Sequence, residues 1–503
     1  MTPAPARGHQ DQHPSSRRQE PAVPAPEVAP PRLDLRSGPQ RVFAHLLVSN
    51  AVVGVVNYTV WFAVTFWVFL ETRSVFATGM IAGIFVVATA ATGIWFGSLV
   101  DDHRKRSVLQ VSALVSAGVY AVCLAVYVLT PAAAFTDVAS WRLWVFVVLC
   151  MAGVVAGNPR GIALPTLVTL LVPADLRDRA NGLVGTVSGT SMLVTSVISG
   201  VLVASGGMLH VLLLALVVLA ASMLHLARVQ VPEARATAPG GGAPGGTGAN
   251  GVDLRGTWRL VRGVPGLVPL IAFSCFNNLI AGGFMALMDA YGLSLVPVQV
   301  WGLLWGGLSA VMIVGGLLVA RVGLGHRPVR LLLLVNACAW TATALFPLAH
   351  SVVTLTAAMV VFMLLMPFAE AAEQTVLQRV VPYERQGRVF GFAQSVEQSA
   401  APVTAFLVGP ITQFLVVPFM TDGAGAAAIG GWFGTGQTRA IALVFVVTGV
   451  VGLVATLAAL ASPQYRALAT SYARTAASGT ATGTATGAVD VDLAEPGATA
   501  KHP

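Results

Sequence analysis

Between positions 43 and 460 the chain carries twelve apolar stretches, each near the roughly 20 residues that an α-helix needs to cross the hydrocarbon core of a bilayer. They occupy positions 43–70, 74–100, 108–128, 144–171, 182–204 and 209–226, then 267–288, 301–320, 329–348, 352–380, 390–414 and 441–460. The longer ones are expected to tilt. Only 10% of the residues are charged, where soluble globular chains have about 25%, so lipid must solvate most of the surface. The expected fold class is all-α and integral to a membrane.

Basic residues set the orientation. If twelve helices leave both chain ends on one side, all but four of the 29 Lys and Arg residues fall at that side. Arg73, Arg142 and Arg439 lie on the other, and Arg160 is deep inside the fourth span. Such an excess marks the cytoplasmic face, so both termini are expected in the cytoplasm and the chain in a cell membrane. The net charge of +8 belongs to this topology. No basic stripe with interleaved aromatics appears, and nucleic acid is not an expected partner. Cys123, Cys150, Cys275 and Cys338 lie in apolar segments without CxxC spacing and read as small apolar side chains.

Composition divides the chain into five segments. Positions 1–40, rich in Pro and Ala, lack a signal-peptide core and read as a disordered cytoplasmic tail. Positions 41–228 hold six spans, the last two joined by a tight hairpin at Gly206. Positions 229–264 form a cytoplasmic linker that begins Gly-rich (PGGGAPGGTGANG) and flexible. Its second part, VDLRGTWRLVRG, sets Leu254, Trp258 and Leu260 or Val261 on one face beside Arg255, Arg259 and Arg262, as an interfacial amphipathic helix would. Positions 265–462 hold the other six spans, and 463–503, rich in Thr, Ala and Gly, read as a second disordered tail. An internal repeat supports the two halves: Val172-Pro173-Ala174-Asp175 with Arg179 and Gly182 matches Val381-Pro382-Tyr383-Glu384 with Arg388 and Gly391 at one constant offset.

Between the second and third spans stands GSLVDDHRKR, a knot of charge that is stable only at the membrane surface. Gly97, Asp101, Lys105 and Arg106 fall on a loop pattern of the major facilitator superfamily of secondary transporters, which this sequence resembles; Asp102 and Arg104 depart from it. GLLVARVG at 316–323 is a weaker echo, with Ala320 where the acid would be. The resemblance implies two six-helix halves rocking about a central cavity. It also implies a conformational latch of Gly97, Asp101, Lys105, Arg106 and Arg388, with Asp101 reaching the start of the eleventh helix near Phe390. The repeated linkers are similar to those of the branch with macrolide efflux proteins and enterobactin exporters. TSVISG at 195–200 lacks the Pro of the antiporter signature in the fifth helix.

No GxSxG elbow, HExxH helix or P-loop occurs, so neither an enzyme nor a cofactor or metal site is expected. Ionisable residues inside apolar spans are the ones that need a reason, since each costs at least a few kcal/mol at the bilayer centre. Glu370, Glu373, Glu397 and Arg160 are the proton-coupling candidates; the repeat aligns Arg160 with Ala369, next to Glu370. A structural ion pair between the halves and direct substrate contact are the alternatives. Asn50, Asn57, Tyr58 and Trp61, with Asn277 and Asn278 as counterparts in the second half, suit the wall of a cavity for a bulky, mostly apolar ligand. Helix packing uses the same residue types. Gly93/Gly97 and Gly185/Gly189 have the spacing that lets helices approach closely. The expected function is proton-coupled export of a hydrophobic or amphipathic small molecule by a monomer. Uptake of a small nutrient, or a transport-inactive receptor or scaffold on the same fold, are the alternatives.

Overall fold

The computed structural model describes residues 33–36, 38–72, 75–231 and 254–486. Its helices before the linker are α1 (Gly38–Thr72), α2 (Val75–Asp102), α3 (Lys105–Leu129), α4 (Trp141–Val155), α5 (Pro159–Leu171) and α6 (Arg177–Arg228). After it come α7 (Leu254–Gly263), α8 (Leu267–Leu295), α9 (Val298–Val322), α10 (Pro328–Leu345), α11 (Val352–Val380) and α12 (Gln386–Ile411). The last are α13 (Val417–Thr421), α14 (Ala424–Phe433), α15 (Gln437–Ala461) and α16 (Pro463–Thr486). No strand occurs among the described residues. Among the described residues ten helical spans, with α4 and α5 together counted as one, are long and apolar enough to cross a membrane, or eleven if Leu407–Thr421 and Ala424–Phe433, bent by 72°, are one span. This is an all-α membrane fold.

All twelve apolar stretches are helical, but they are not twelve separate rods. The fourth is broken between α4 and α5, where Pro159 opens α5; a Pro at the first helical position lacks only an N–H that would be unpaired anyway. The fifth and sixth run together as α6, which doubles back at Gly206 and Gly207. Gly207 sits at φ 59°, ψ −150°, a conformation essentially restricted to glycine. The two helices therefore need no loop.

Three hydrophobic clusters show how the halves are related. One, built on Val60, Trp67, Tyr120 and Phe146, belongs wholly to the helices before the linker. Another, built on Tyr291, Trp301, Phe346 and Phe445, belongs wholly to those after it. The third is shared: Phe43, Val100, Leu167 and Leu171 join Val319, Val376, Leu377 and Phe390. It lies at the end where α2 meets α3, with the charged GSLVDDHRKR loop, here called the basic end. The halves thus have one core at the basic end and two separate cores toward the other.

Three expectations are corrected or limited here. The segment after α15 is not irregular from position 463: α16 continues to Thr486, and its Leu468 is buried beside Gly266. Ala-rich sequence has high helix propensity, and Tyr465, Leu468 and Tyr472 give that helix a face that packs on the shared cluster. In α7 the buried side chains are Thr257 and Val261, whereas Trp258 is 42% exposed with Arg262 over its ring at 5.7 Å. Trp258 lies on an exposed side of α7, its ring centre 6.1 Å from that of Phe392. The Gly-rich part of the linker and the outer parts of both tails (1–32, 232–253 and 487–503) lie outside the described residues.

Candidate functional site

The expected latch residues all lie at the basic end, where α2 meets α12. The carboxylate of Asp101 accepts hydrogen bonds from the backbone N–H groups of Gly387 at 2.6 Å and Arg388 at 2.8 Å. An acid is favoured there because the first N–H groups of a helix have no partner within it and carry the positive end of its dipole. The Arg388 guanidinium does not pair with Asp101 but with Asp102, at 2.8 Å. Asp102, a departure from the family pattern, thus has its own place in the contact. Lys105 is buried and donates from Nζ to the Val100 carbonyl at 2.6 Å, closing the end of α2. Arg106 reaches the last turn of α6 through the Ala227 carbonyl at 2.7 Å.

Glycines let the two halves meet this closely. A Cβ on Gly97 would stand 2.5 Å from the Gly387 carbonyl oxygen, and one on Gly316 2.5 Å from the Thr186 nitrogen. Gly182 likewise faces the backbone of Ala320.

A second carboxylate closes the opposite side of the same seam. Asp178, in the first turn of α6, accepts from the Leu324 N–H at 2.8 Å, just past Gly323 at φ 79°. Sequence reasoning missed it, because the echo motif was searched for an acid on α9 and the acid comes from α6. Deeper in, Asn181 donates to Thr375 at 2.9 Å and to the Gln378 oxygen at 3.0 Å. Gln378 returns a bond to Pro165 at 3.2 Å. The repeated linker flanks Asn181, which was the available signal.

Above this seal a cavity of about 390 Å³ separates the halves. Its walls come from α1, α5, α6, α9 and α11. Of the expected cavity residues, Asn50, Tyr58 and Trp61 line it, together with Phe62 and Glu370. Ser188, Ser191, Met192 and Gln374 also line it and were not expected. Asn57, Asn277 and Asn278 do not line it. Asn57 accepts from the buried Tyr120 hydroxyl at 3.0 Å, and Asn277 accepts from the Trp340 indole at 2.7 Å. Asn278 donates to the Ser274 carbonyl at 3.1 Å. Their polarity satisfies helix contacts.

The carboxylates divide in the same way. Glu370 opens into the cavity, coupled electrostatically to Tyr58. Glu373, one turn further along α11, accepts from the Ser274 hydroxyl at 2.6 Å and stands beside Glu397 of α12. Two carboxyl groups side by side away from water repel each other when both are ionised, and a shared proton relieves this. Cys275 of α8 stands beside Glu397. Arg160 does not join them. It sits at the α4–α5 break, 3% exposed, and donates to the Leu109 carbonyl of α3 at 2.8 Å, while its Nε and Nη1 have no partner. The repeat places it at the depth of Glu370, but its side chain is bonded to α3 and lies off the cavity wall.

The family model described as Major Facilitator Superfamily matches residues 46–405. No curated protein sequence matches the chain. Among solved structures, a bacterial homologue of the iron transporter ferroportin, in an outward-facing state with soaked iron, is similar with a TM-score of 0.58 at 15% identity, covering 84% of this chain and 99% of that one. The proton:xylose symporter XylE bound to 6-bromo-6-deoxy-D-glucose has a TM-score of 0.58 at 12% identity, covering 84% and 96%. The human organic anion transporter MFSD10 (TETRAN) has a TM-score of 0.57 at 14% identity, covering 84% and 100%. At these identities the likeness is one of fold.

Proposed function

This chain belongs to the Major Facilitator Superfamily, and on that premise we propose that it exports hydrophobic or amphipathic small molecules in exchange for protons, by alternating access. It is a transporter and not an enzyme. The observation that carries the finer reading is a cavity between the halves, sealed at the basic end by Asp101 and Asp178, with the neighbouring carboxyl groups of Glu373 and Glu397 beside it. The basic end is the cytoplasmic one by its excess of Arg and Lys, so the closed seam and the separate outer cores correspond to an outward-facing state.

Glu373 and Glu397 hold the coupling proton between them. Parting α11 from α12 would break their bond and free the proton; bringing them together requires one. The groups facing the pair are Ser274 and Cys275 from α8 and Glu370 from α11, with Tyr58 of α1 beyond Glu370. Arg160, bonded to α3, is a structural residue of the first half in this state. The finer likeness to macrolide and enterobactin exporters rests on the repeated linkers and forms part of this proposal. The protein acts as a monomer in the cell membrane.

Direction and coupling are tested together in cells overexpressing the chain, with a panel of lipophilic compounds and labelled substrate. Export predicts lower susceptibility and lower accumulation, both abolished when the proton gradient is collapsed. Greater accumulation than in control cells would instead establish uptake.

A further inference from the structure

Resting on the reading of the cavity as the substrate site, we propose that its ligand is an amphipathic monovalent organic cation. Its charge sits at Glu370 and its apolar body lies on the wall of Tyr58, Trp61 and Phe62. Among the described residues that line the cavity, Glu370 is the one carboxyl side chain, with no Lys, Arg or His among them. The buried cation at similar depth, Arg160, is bonded to the Leu109 carbonyl on α3. A carboxylate in surroundings of low dielectric attracts a cation and repels an anion several times more strongly than it would in water.

The remaining wall suits the same ligand. Trp61 and Phe62 lie edge to face with centroids 4.8 Å apart, and Phe85 flanks Trp61 at 5.5 Å. Aromatic faces bind organic cations through their quadrupoles. The Gln374 carbonyl oxygen is buried without a partner and supplies an acceptor one turn from Glu370; the unpartnered Trp61 indole N–H adds a neutral donor. Single charge follows from the division of the carboxylates, since Glu370 lines the cavity whereas Glu373, bonded to Ser274, and Glu397 lie off its wall. A metal cation is disfavoured: no group of three His, Cys, Asp or Glu side chains that could hold one occurs among the described residues. The volume of about 390 Å³ lies in the range of roughly 300–1,000 Å³ that accepts drug-sized ligands.

Tetraphenylphosphonium and tetraphenylborate, alike in size and shape and opposite in charge, test this on the purified full chain by quenching of tryptophan fluorescence. The phosphonium should bind and the borate should not. Glu370→Gln should weaken phosphonium binding at least about tenfold, while Glu370→Asp, which keeps the charge, should retain most of it. Equal binding of the two ions, no phosphonium binding, or unchanged affinity in Glu370→Gln would each overturn the proposal. The ion pair on the wild-type chain keeps the test decisive if the Gln variant fails to fold. Flux in proteoliposomes separates the two readings. Charge-selective binding without phosphonium flux in any gradient would overturn transport and leave the cation site. Flux of neutral or anionic lipophiles without phosphonium binding would overturn the cation site and leave transport.

Discussion

At the scale of single residues, two carboxylates have different tasks. Asp101 holds two backbone N–H groups of α12. Asp101→Asn removes the charge and offers only one acceptor oxygen, so the closed state should lose about 1.5–3 kcal/mol, the usual worth of hydrogen bonds to a charged group. Folding should survive, because the shared cluster around Phe390 does not depend on this contact. A cysteine in the cavity wall at Ser188 would then become reachable from the basic end. Unchanged labelling, with wild-type expression and flux, would remove the latch from the mechanism. Under the proposed coupling Glu373 and Glu397, which stand side by side, hold one proton between them. Glu373→Gln supplies its own N–H and keeps the contact, but cannot titrate. Proton-driven flux should fall to background while exchange of substrate for substrate persists, and the pH dependence of flux should flatten. If the pH dependence persists in both Glu373→Gln and Glu397→Gln, neither residue carries the proton.

At the scale of elements, the length and placing of the spans were legible in the sequence because hydrocarbon thickness leaves one mark on every crossing helix. Side-chain direction was not. Asn57 and Asn277 were grouped with Tyr58 and Asn50 by depth, yet whether a polar group faces a cavity or a neighbouring helix depends on rotation, and Tyr120 and Trp340 come from helices distant in sequence. Arg160 misled for the same reason. Asp178 was hidden because pseudo-symmetry fixes where the halves meet but not which of them brings the acid. The C-terminal helix α16 was hidden by its composition, and it packs on α11 beside the closed seam, where its effect can be measured. Arg379 of α11 donates to the Tyr472 hydroxyl at 3.1 Å and lies 4.8 Å from its ring centre, and Arg177 of the first half faces both. Tyr472→Ala leaves Arg177 and Arg379 to repel each other across the seam. It should shift the population toward opening at the basic end by roughly 1–2 kcal/mol, read as increased labelling of a cysteine at Ser188 with little change in thermal stability. Unaltered labelling would reduce α16 to a surface helix.

At the scale of the whole molecule, the proposed orientation rests on charge alone. A cysteine replacing the exposed Asp422, between α13 and α14, should react with an impermeant thiol reagent added outside intact cells, and one replacing His103, on the charged loop, should not. The reverse pattern would invert the topology, and with it the direction assigned to the cycle. The seam itself has a consequence for speed. Where Gly97 meets Gly387, Gly182 meets Ala320 and Gly316 meets Thr186, glycine lets main chain approach main chain beside the shared apolar cluster. Surfaces that interdigitate must reset many rotamers to part, whereas smooth ones separate and rejoin with little friction. A contact that has to be broken at every turnover is therefore eased at these three points, while its strength lies in the shared apolar cluster and in a few polar clasps that water can replace as they open.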